Sequence, residues 1–170
     1  MRLKNRHHLR SNEIEQLKNN ITLKFGAEFT NKIFFKNSKI EVAEIEDFFL
    51  IYIVDGEFLI IKDEGILIPS IKAILNGQLD LLKIIVDMGA IKYVINGADI
   101  MKPGIVHIDN EIKEGTYVKI IEETHHKCLA VGLSLFDSKT MKKMKNGKVI
   151  KNIHFINDKI WNFLENALKI

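Results

Sequence analysis

Proline and cysteine are nearly absent from this chain of 170 residues, which holds two of the first and one of the second. So few prolines leave no proline-rich linker. The single Cys128 excludes an intramolecular disulfide and fits a reducing, cytoplasmic setting. No apolar run approaches the roughly 18 residues a membrane-crossing helix needs. The longest, Phe48 to Val54, has the length of a buried strand, and no membrane partner is expected. The opening Met1-Arg2-Leu3-Lys4-Asn5-Arg6 puts charge first, but no apolar stretch of secretory length follows, so a signal peptide is not expected. Catalytic signatures are also missing. There is no Gly-x-Ser-x-Gly elbow, no His-Glu-x-x-His pair and no Gly-Lys-Ser/Thr phosphate loop. Glu46 and Asp47 adjoin without a recognisable polar pocket. His125, His126 and Cys128 form a His-His-x-Cys group, but no second ligand pair stands at zinc-site spacing. The reading is therefore of a binding protein with no cofactor and no metal.

What is present is an ordinary globular composition, 46% hydrophobic, long enough for one domain or two small ones. Net charge is only +3, but it is unevenly spread. Residues 1–10 carry Arg2, Lys4, Arg6, Arg10, His7 and His8 with no acid. Residues 138–151 carry Lys139, Lys142, Lys143, Lys145, Lys148 and Lys151, again with no acid. Residues 41–66 hold eight acids against Lys62 alone. Basic ends around an acidic middle imply distinct faces, and basic patches attract polyanions by counterion release. The alternative is that these lysines are solvated surface.

Hydrophobic spacing orders the rest. Asn12, with Glu15 in capping-box spacing, predicts a helix carrying Ile14, Leu17 and Ile21 that stops at Gly26, so that the basic residues before it form a flexible arm. Ile40, Val42 and Ile45 alternate with charges as in a half-buried strand. Asp55-Gly56 between two apolar runs predicts a tight hairpin, since both turn residues must reach positive φ. Ile66 to Ile68 predicts another strand, and Pro69-Ser70 opens a short helix that Gly77 ends. Residues 1–88 thus read as a small α+β domain. Residues 89–170 change character. Lys92 to Ile95 predicts a short strand, Gly97 and Gly104 bracket a single turn, and the runs at 117–121 and 129–135 form a hairpin. Ser138 caps a helix that Gly147 terminates, Val149 to Phe155 is strand-like, and Asp158 caps a final helix carrying Ile160, Trp161, Leu164 and Leu168. Many short strands with few helices predict a small barrel.

Four pieces of this second half together resemble the PUA domain, a pseudo-barrel of RNA-binding and RNA-modifying proteins. They are the stretch from Asn96 to Gly104, Glu114-Gly115 before Val118, Ala130-Val131-Gly132, and Asn146-Gly147-Lys148 followed by Asn152-Ile153-His154. Over nearly the whole chain the likeness is closer. Asp87 to Val94, Asn152 to Asp158, Trp161 and the hairpin Val54 to Glu57 followed by Pro69 resemble the malignant-T-cell-amplified-sequence family, in an archaeal-type member. That resemblance implies an α+β N-terminal domain followed by a PUA domain, and work on the small ribosomal subunit in initiation, reinitiation or recycling. The family's eukaryotic members act with a partner that holds an initiation-factor-like domain, which this chain lacks.

By that resemblance Gly97, Asp99, Met101, Lys102 and Gly104 are candidate RNA contacts. The competing reading is that the glycines only shape a tight connection and that Ile100 or Met101 plugs the barrel. Lys139, Lys142, Lys143, Lys145 and Lys148 are a second set. Like charges at i, i+3 and i, i+4 repel by a few tenths of a kcal/mol per pair, which a phosphate backbone would relieve. The arm Arg2, Lys4, Arg6 and Arg10 is a third. Met141, Met144 and Trp161 are expected in the core. The expected partners are structured RNA (tRNA or rRNA), the small ribosomal subunit and an initiation-factor-like protein, with no DNA and no membrane. An accessory RNA-binding role beside a tRNA- or rRNA-modifying enzyme is the alternative.

Overall fold

A computed structural model describes residues 3–35, 37–45 and 49–167, and its contacts divide the chain into two compact units, Met1–Leu79 and Asp80–Ile170. The division falls at Leu79/Asp80 rather than at 88/89. The reason is a short strand in the segment between, which pairs entirely within the second unit.

The first unit is a five-stranded antiparallel meander with helices. Its elements are β1 (Leu3–His8), α1 (Ser11–Phe25), α2 (Ala27–Ile33), β2 (Ile40–Ile45), β3 (Phe49–Val54), β4 (Glu57–Asp63), β5 (Ile66–Pro69) and α3 (Ile71–Leu75). The Asp55-Gly56 turn forms as expected, with φ of 52° and 90° and Val54 opposite Glu57. Glu64 (φ 45°) and Gly65 (φ 84°) make a second turn of the same kind between β4 and β5. Leu17 and Ile21 of α1 and Ile33 of α2 pack on Ile40, Val54, Leu59, Ile60 and Leu67. Burying such side chains is the main stabilising term, about 1.5–3 kcal/mol each.

Two expectations in this unit are corrected, and one helix is added. The basic residues before the first helix are not a flexible arm, because Leu3–His8 pairs antiparallel with β2 as an edge strand. The helix begins at Ser11 rather than after Asn12, because the Glu13 carboxylate accepts the Arg10 amide at 2.8 Å and so closes the first turn. Gly26 ends α1 but also opens α2, which the sequence reading did not anticipate. Phe48, expected to start a strand, lies outside the described residues, as do Arg2, Glu46, Asp47 and Leu168.

The second unit comprises β6 (Lys83–Val86), α4 (Ile91–Val94), β7 (Ile100–Met101), a 3-10 turn (Lys102–Gly104), β8 (Ile105–Ile108), β9 (Tyr117–Glu122), β10 (Cys128–Ser134), α5 (Ser138–Lys143), β11 (Lys148–Phe155) and α6 (Lys159–Ala167). Strand order is β7-β11-β10-β9-β6-β8. Only the 3-10 turn separates β7 from β8, so the two ends of the sheet come round to one another as a nearly closed barrel. Val86, Val94, Ile100, Ile120, Ala130, Met141, Val149 and Ile150 fill it. The expected plug is thus Ile100, 2% exposed, whereas Met101 is 50% exposed. Gly132 is required by packing, because a Cβ there would collide with Ile150 and Ile120.

Lys92 to Ile95 is not a strand. The Asp87 carboxylate accepts the Ala90 amide at 2.8 Å and starts a helical turn, and the Ile95 amide donates to the Ile91 carbonyl. Asp137 rather than Ser138 caps α5, accepting from the Thr140 amide at 2.7 Å. Asp158 caps α6 as expected, accepting the Trp161 amide at 2.7 Å.

Candidate nucleic-acid interface

The interface is built where β7 lies against β11. Met101 is in register with Lys148, and the Lys102 amide donates to the Gly147 carbonyl at 2.8 Å. Two segments far apart in sequence, Met101-Lys102 and Gly147-Lys148, therefore meet through their backbones. Gly147 at φ 100° makes the bend into β11, a conformation that favours glycine.

Each residue of the glycine-bracketed turn has a definable part. Gly97 (φ 85°) ends α4 under Phe155, whose ring would lie 2.8 Å from a Cβ. Packing against Phe155 thus accounts for this glycine. Gly104 lies against α4, with a would-be Cβ 3.4 Å from that of Ala90, and its carbonyl accepts the Asp87 amide. Asp99 is committed internally. Its Oδ1 accepts the Asn152 amide at 2.8 Å and its Oδ2 meets Lys148 Nζ at 3.0 Å. Partial burial opposes ionisation of Asp99, but the Asn152 amide and Lys148 outweigh it and hold the carboxyl below its ordinary range.

Lys139, Lys142, Lys143, Lys145 and Lys148 are all exposed. Met141 on the same short helix is fully buried and Met144 half-buried, so α5 is pinned by its methionines and presents its lysines. Lys142 Nζ hydrogen-bonds Asn110 Oδ1. Lys139 and Lys143, four residues apart, share a side of the helix.

A further feature of this unit has no counterpart in the sequence motifs. A shallow groove of about 540 Å³ runs between α4 and the 3-10 turn, lined by Ala90, Tyr93, Met101, Pro103 and Gly104 among others. Its surface is mostly apolar, and Tyr93 is 58% exposed. Lys92 Nζ lies 4.9 Å from the centre of the Tyr93 ring. The sequence signal was only the tyrosine itself, whose exposure depends on helix rather than strand geometry.

Of the N-terminal cations, Lys4, Arg6 and Arg10 are exposed, and Arg6 forms a two-point pair with Glu41 at 2.8 and 3.0 Å. They belong to the first unit. Cys128 is buried, and burial pushes its thiol up to about 12, so it offers no thiolate. No group of His, Cys, Asp and Glu among the described residues could hold a metal ion.

Residues 82–156 match the PUA domain, and residues 5–77 match a domain of unknown function, DUF1947. An uncharacterized protein of Methanocaldococcus jannaschii is 39% identical over 163 residues, covering 96% of this chain and 99% of that protein. Translation machinery-associated protein 20 of Saccharomyces cerevisiae is 35% identical over 134 residues, covering 75% and 74%. Malignant T-cell-amplified sequence 1 of Rattus norvegicus is 30% identical over 160 residues, covering 91% and 88%. The crystal structure of a hypothetical protein from Pyrococcus horikoshii superposes with a TM-score of 0.78 at 33% identity, over 94% of this chain and 99% of that one.

Proposed function

The chain belongs to the family of malignant T-cell-amplified sequence 1 and translation machinery-associated protein 20, and on that premise we propose that it is an RNA-binding protein of the translation apparatus. Its PUA domain grips structured RNA, tRNA or rRNA. Its N-terminal unit docks on the small ribosomal subunit or on a protein partner with an initiation-factor-like domain, in initiation or recycling. The observation that supports this reading is the pairing of β7 with β11, which sets Met101 opposite Lys148 and the Lys102 amide on the Gly147 carbonyl, just beyond the lysines of α5.

The division of labour follows from the chemistry. Lys102, Lys139, Lys142, Lys143, Lys145 and Lys148 contact phosphates, which positions RNA without reading its sequence. Met101 and Tyr93 offer the neighbouring groove as an apolar surface for a base, stacking being worth about 1–3 kcal/mol. Gly97 and Gly104 hold the turn in shape, and Asp99 sets the direction of Lys148. Lys4, Arg6 and Arg10 lie on the docking unit, and Arg2 precedes them in sequence. Nothing in this arrangement asks for bond making. The protein works by positioning, in the cytoplasm.

Co-sedimentation with small ribosomal subunits tests this. Wild type is expected to pellet with subunits at low salt and less at moderate salt, and Lys142→Ala/Lys143→Ala is expected to pellet less at both. Absence of co-sedimentation at either salt, with tRNA binding retained, would move the protein to the accessory role beside a modifying enzyme.

A further inference from the structure

The first unit's sheet has two edges, and they are unlike. β5 is four residues long and ends in Pro69, which has no N–H to offer. β1 is six residues long, contains no proline, and every one of its residues is exposed. Among the described residues no strand lies beyond it. The Leu9 amide donates to the Ile40 carbonyl at 2.9 Å, which turns the backbone of Leu9 toward β2. In an antiparallel ladder these directions alternate, so His7 also faces β2, while the N–H and C=O groups of Arg6 and His8 point outward. A strand edge of this kind is a template for another extended chain.

Charge decides what that chain can be. Lys4, Arg6, His7 and His8 lie on the edge and Arg10 follows, with no acid between residues 3 and 10. Glu41 on the adjoining strand is already occupied by the two-point bond from Arg6. The side chains of Lys4, His7 and His8 are exposed. A second copy pairing edge to edge would set these like charges against each other, which is unfavourable. The irregularity in register between Leu3 and Asn5 further blunts the edge against non-specific pairing. The same features that reject a second copy favour an acidic strand. A nucleic acid would satisfy the charges but not the outward backbone donors and acceptors.

We propose that β1 is the acceptor edge for an acidic, extended segment of a protein partner, which joins the sheet as an additional strand beside Arg6 and His8. This deepens the part of the functional reading that gives the N-terminal unit a partner and is independent of the RNA-binding surface on the second unit.

The test uses the full chain labelled with 15N and two peptides long enough to cover β1. One alternates glutamate with valine. The other has the same glutamates with each valine replaced by proline, so it keeps the charge and cannot form a ladder. The alternating peptide is expected to shift the Arg6 and His8 amides and slow their hydrogen exchange, and the prolyl peptide is expected to leave their exchange unchanged. His8→Pro removes one outward N–H at a position where an edge strand tolerates proline, and should weaken the alternating peptide by roughly tenfold. Equal binding of both peptides would overturn the proposal in favour of charge alone. Displacement of the alternating peptide by tRNA at the same amides would overturn it in favour of a nucleic-acid face. tRNA affinity of the His8→Pro variant, read in parallel, separates failure here from failure of the RNA-binding reading, which predicts no change.

Discussion

Asp99 looks like an RNA contact by its place in the turn, yet both its oxygens are engaged within the domain, by the Asn152 amide and by Lys148. Asp99→Asn keeps an acceptor for Asn152 and releases Lys148. RNA should then bind more tightly, with a salt slope steeper by up to about one phosphate contact. Filter binding across a salt series reads this, and a loss of affinity in a folded variant would make Asp99 itself a contact. Gly132 has the opposite character, being silent at the surface and tightly constrained inside. Gly132→Ala forces Ile150 and Ile120 to move and should cost about 1–3 kcal/mol as overpacking, measured by urea denaturation.

At the scale of elements, the β9–β10 loop is organised by one carboxylate. Glu122 accepts the amides of Thr124 at 2.7 Å, His125 at 2.8 Å and Lys127 at 3.0 Å. The Lys127 amide foremost, with those of His125 and Thr124, holds its carboxyl below the ordinary range against the opposing effect of burial. A carboxyl with a lowered folded pKa adds stability above its unfolded value of about 4.3, and that stability is lost as pH falls through the lower folded value. Glu122→Gln should therefore be less stable than wild type at neutral pH, and the two should converge in acid. Thermal melts from neutral pH down to about pH 3 check this, and a constant gap would contradict it.

The same scale shows what could be read in the sequence. The Asp55-Gly56 hairpin, the β9–β10 pair, β11 and the Asp158 cap were legible because each rests on local chemistry. The helical turn at Ile91–Val94 was not, because Tyr93, Val94 and Ile95 favour strands and only the Asp87 carboxylate, placed by the preceding loop, starts a helix there. Nor was β1, whose fully exposed residues carry no apolar alternation and whose pairing depends on a strand more than thirty residues away. The lysines of α5 were visible as a charge run. The approach of Met101-Lys102 to Gly147-Lys148 was not, since it needs the register of β7 on β11.

For the whole molecule, each of the two units has its own apolar core, and no helix among the described residues is long and apolar enough to cross a membrane. The modest net charge of +3 conceals two separate basic regions, one in each unit. On the proposed reading, RNA binds the second unit and a protein partner the edge of the first. The lysines of α5 should therefore govern RNA affinity, while β1 should not.

The most direct measurement is the affinity for tRNA as a function of salt, for wild type and for Lys142→Ala/Lys143→Ala. A log–log line of negative slope is expected for wild type, made shallower by about 1.5 in the variant as two phosphate contacts are lost. An affinity that barely changes with salt, or a slope the double variant leaves untouched, would contradict it.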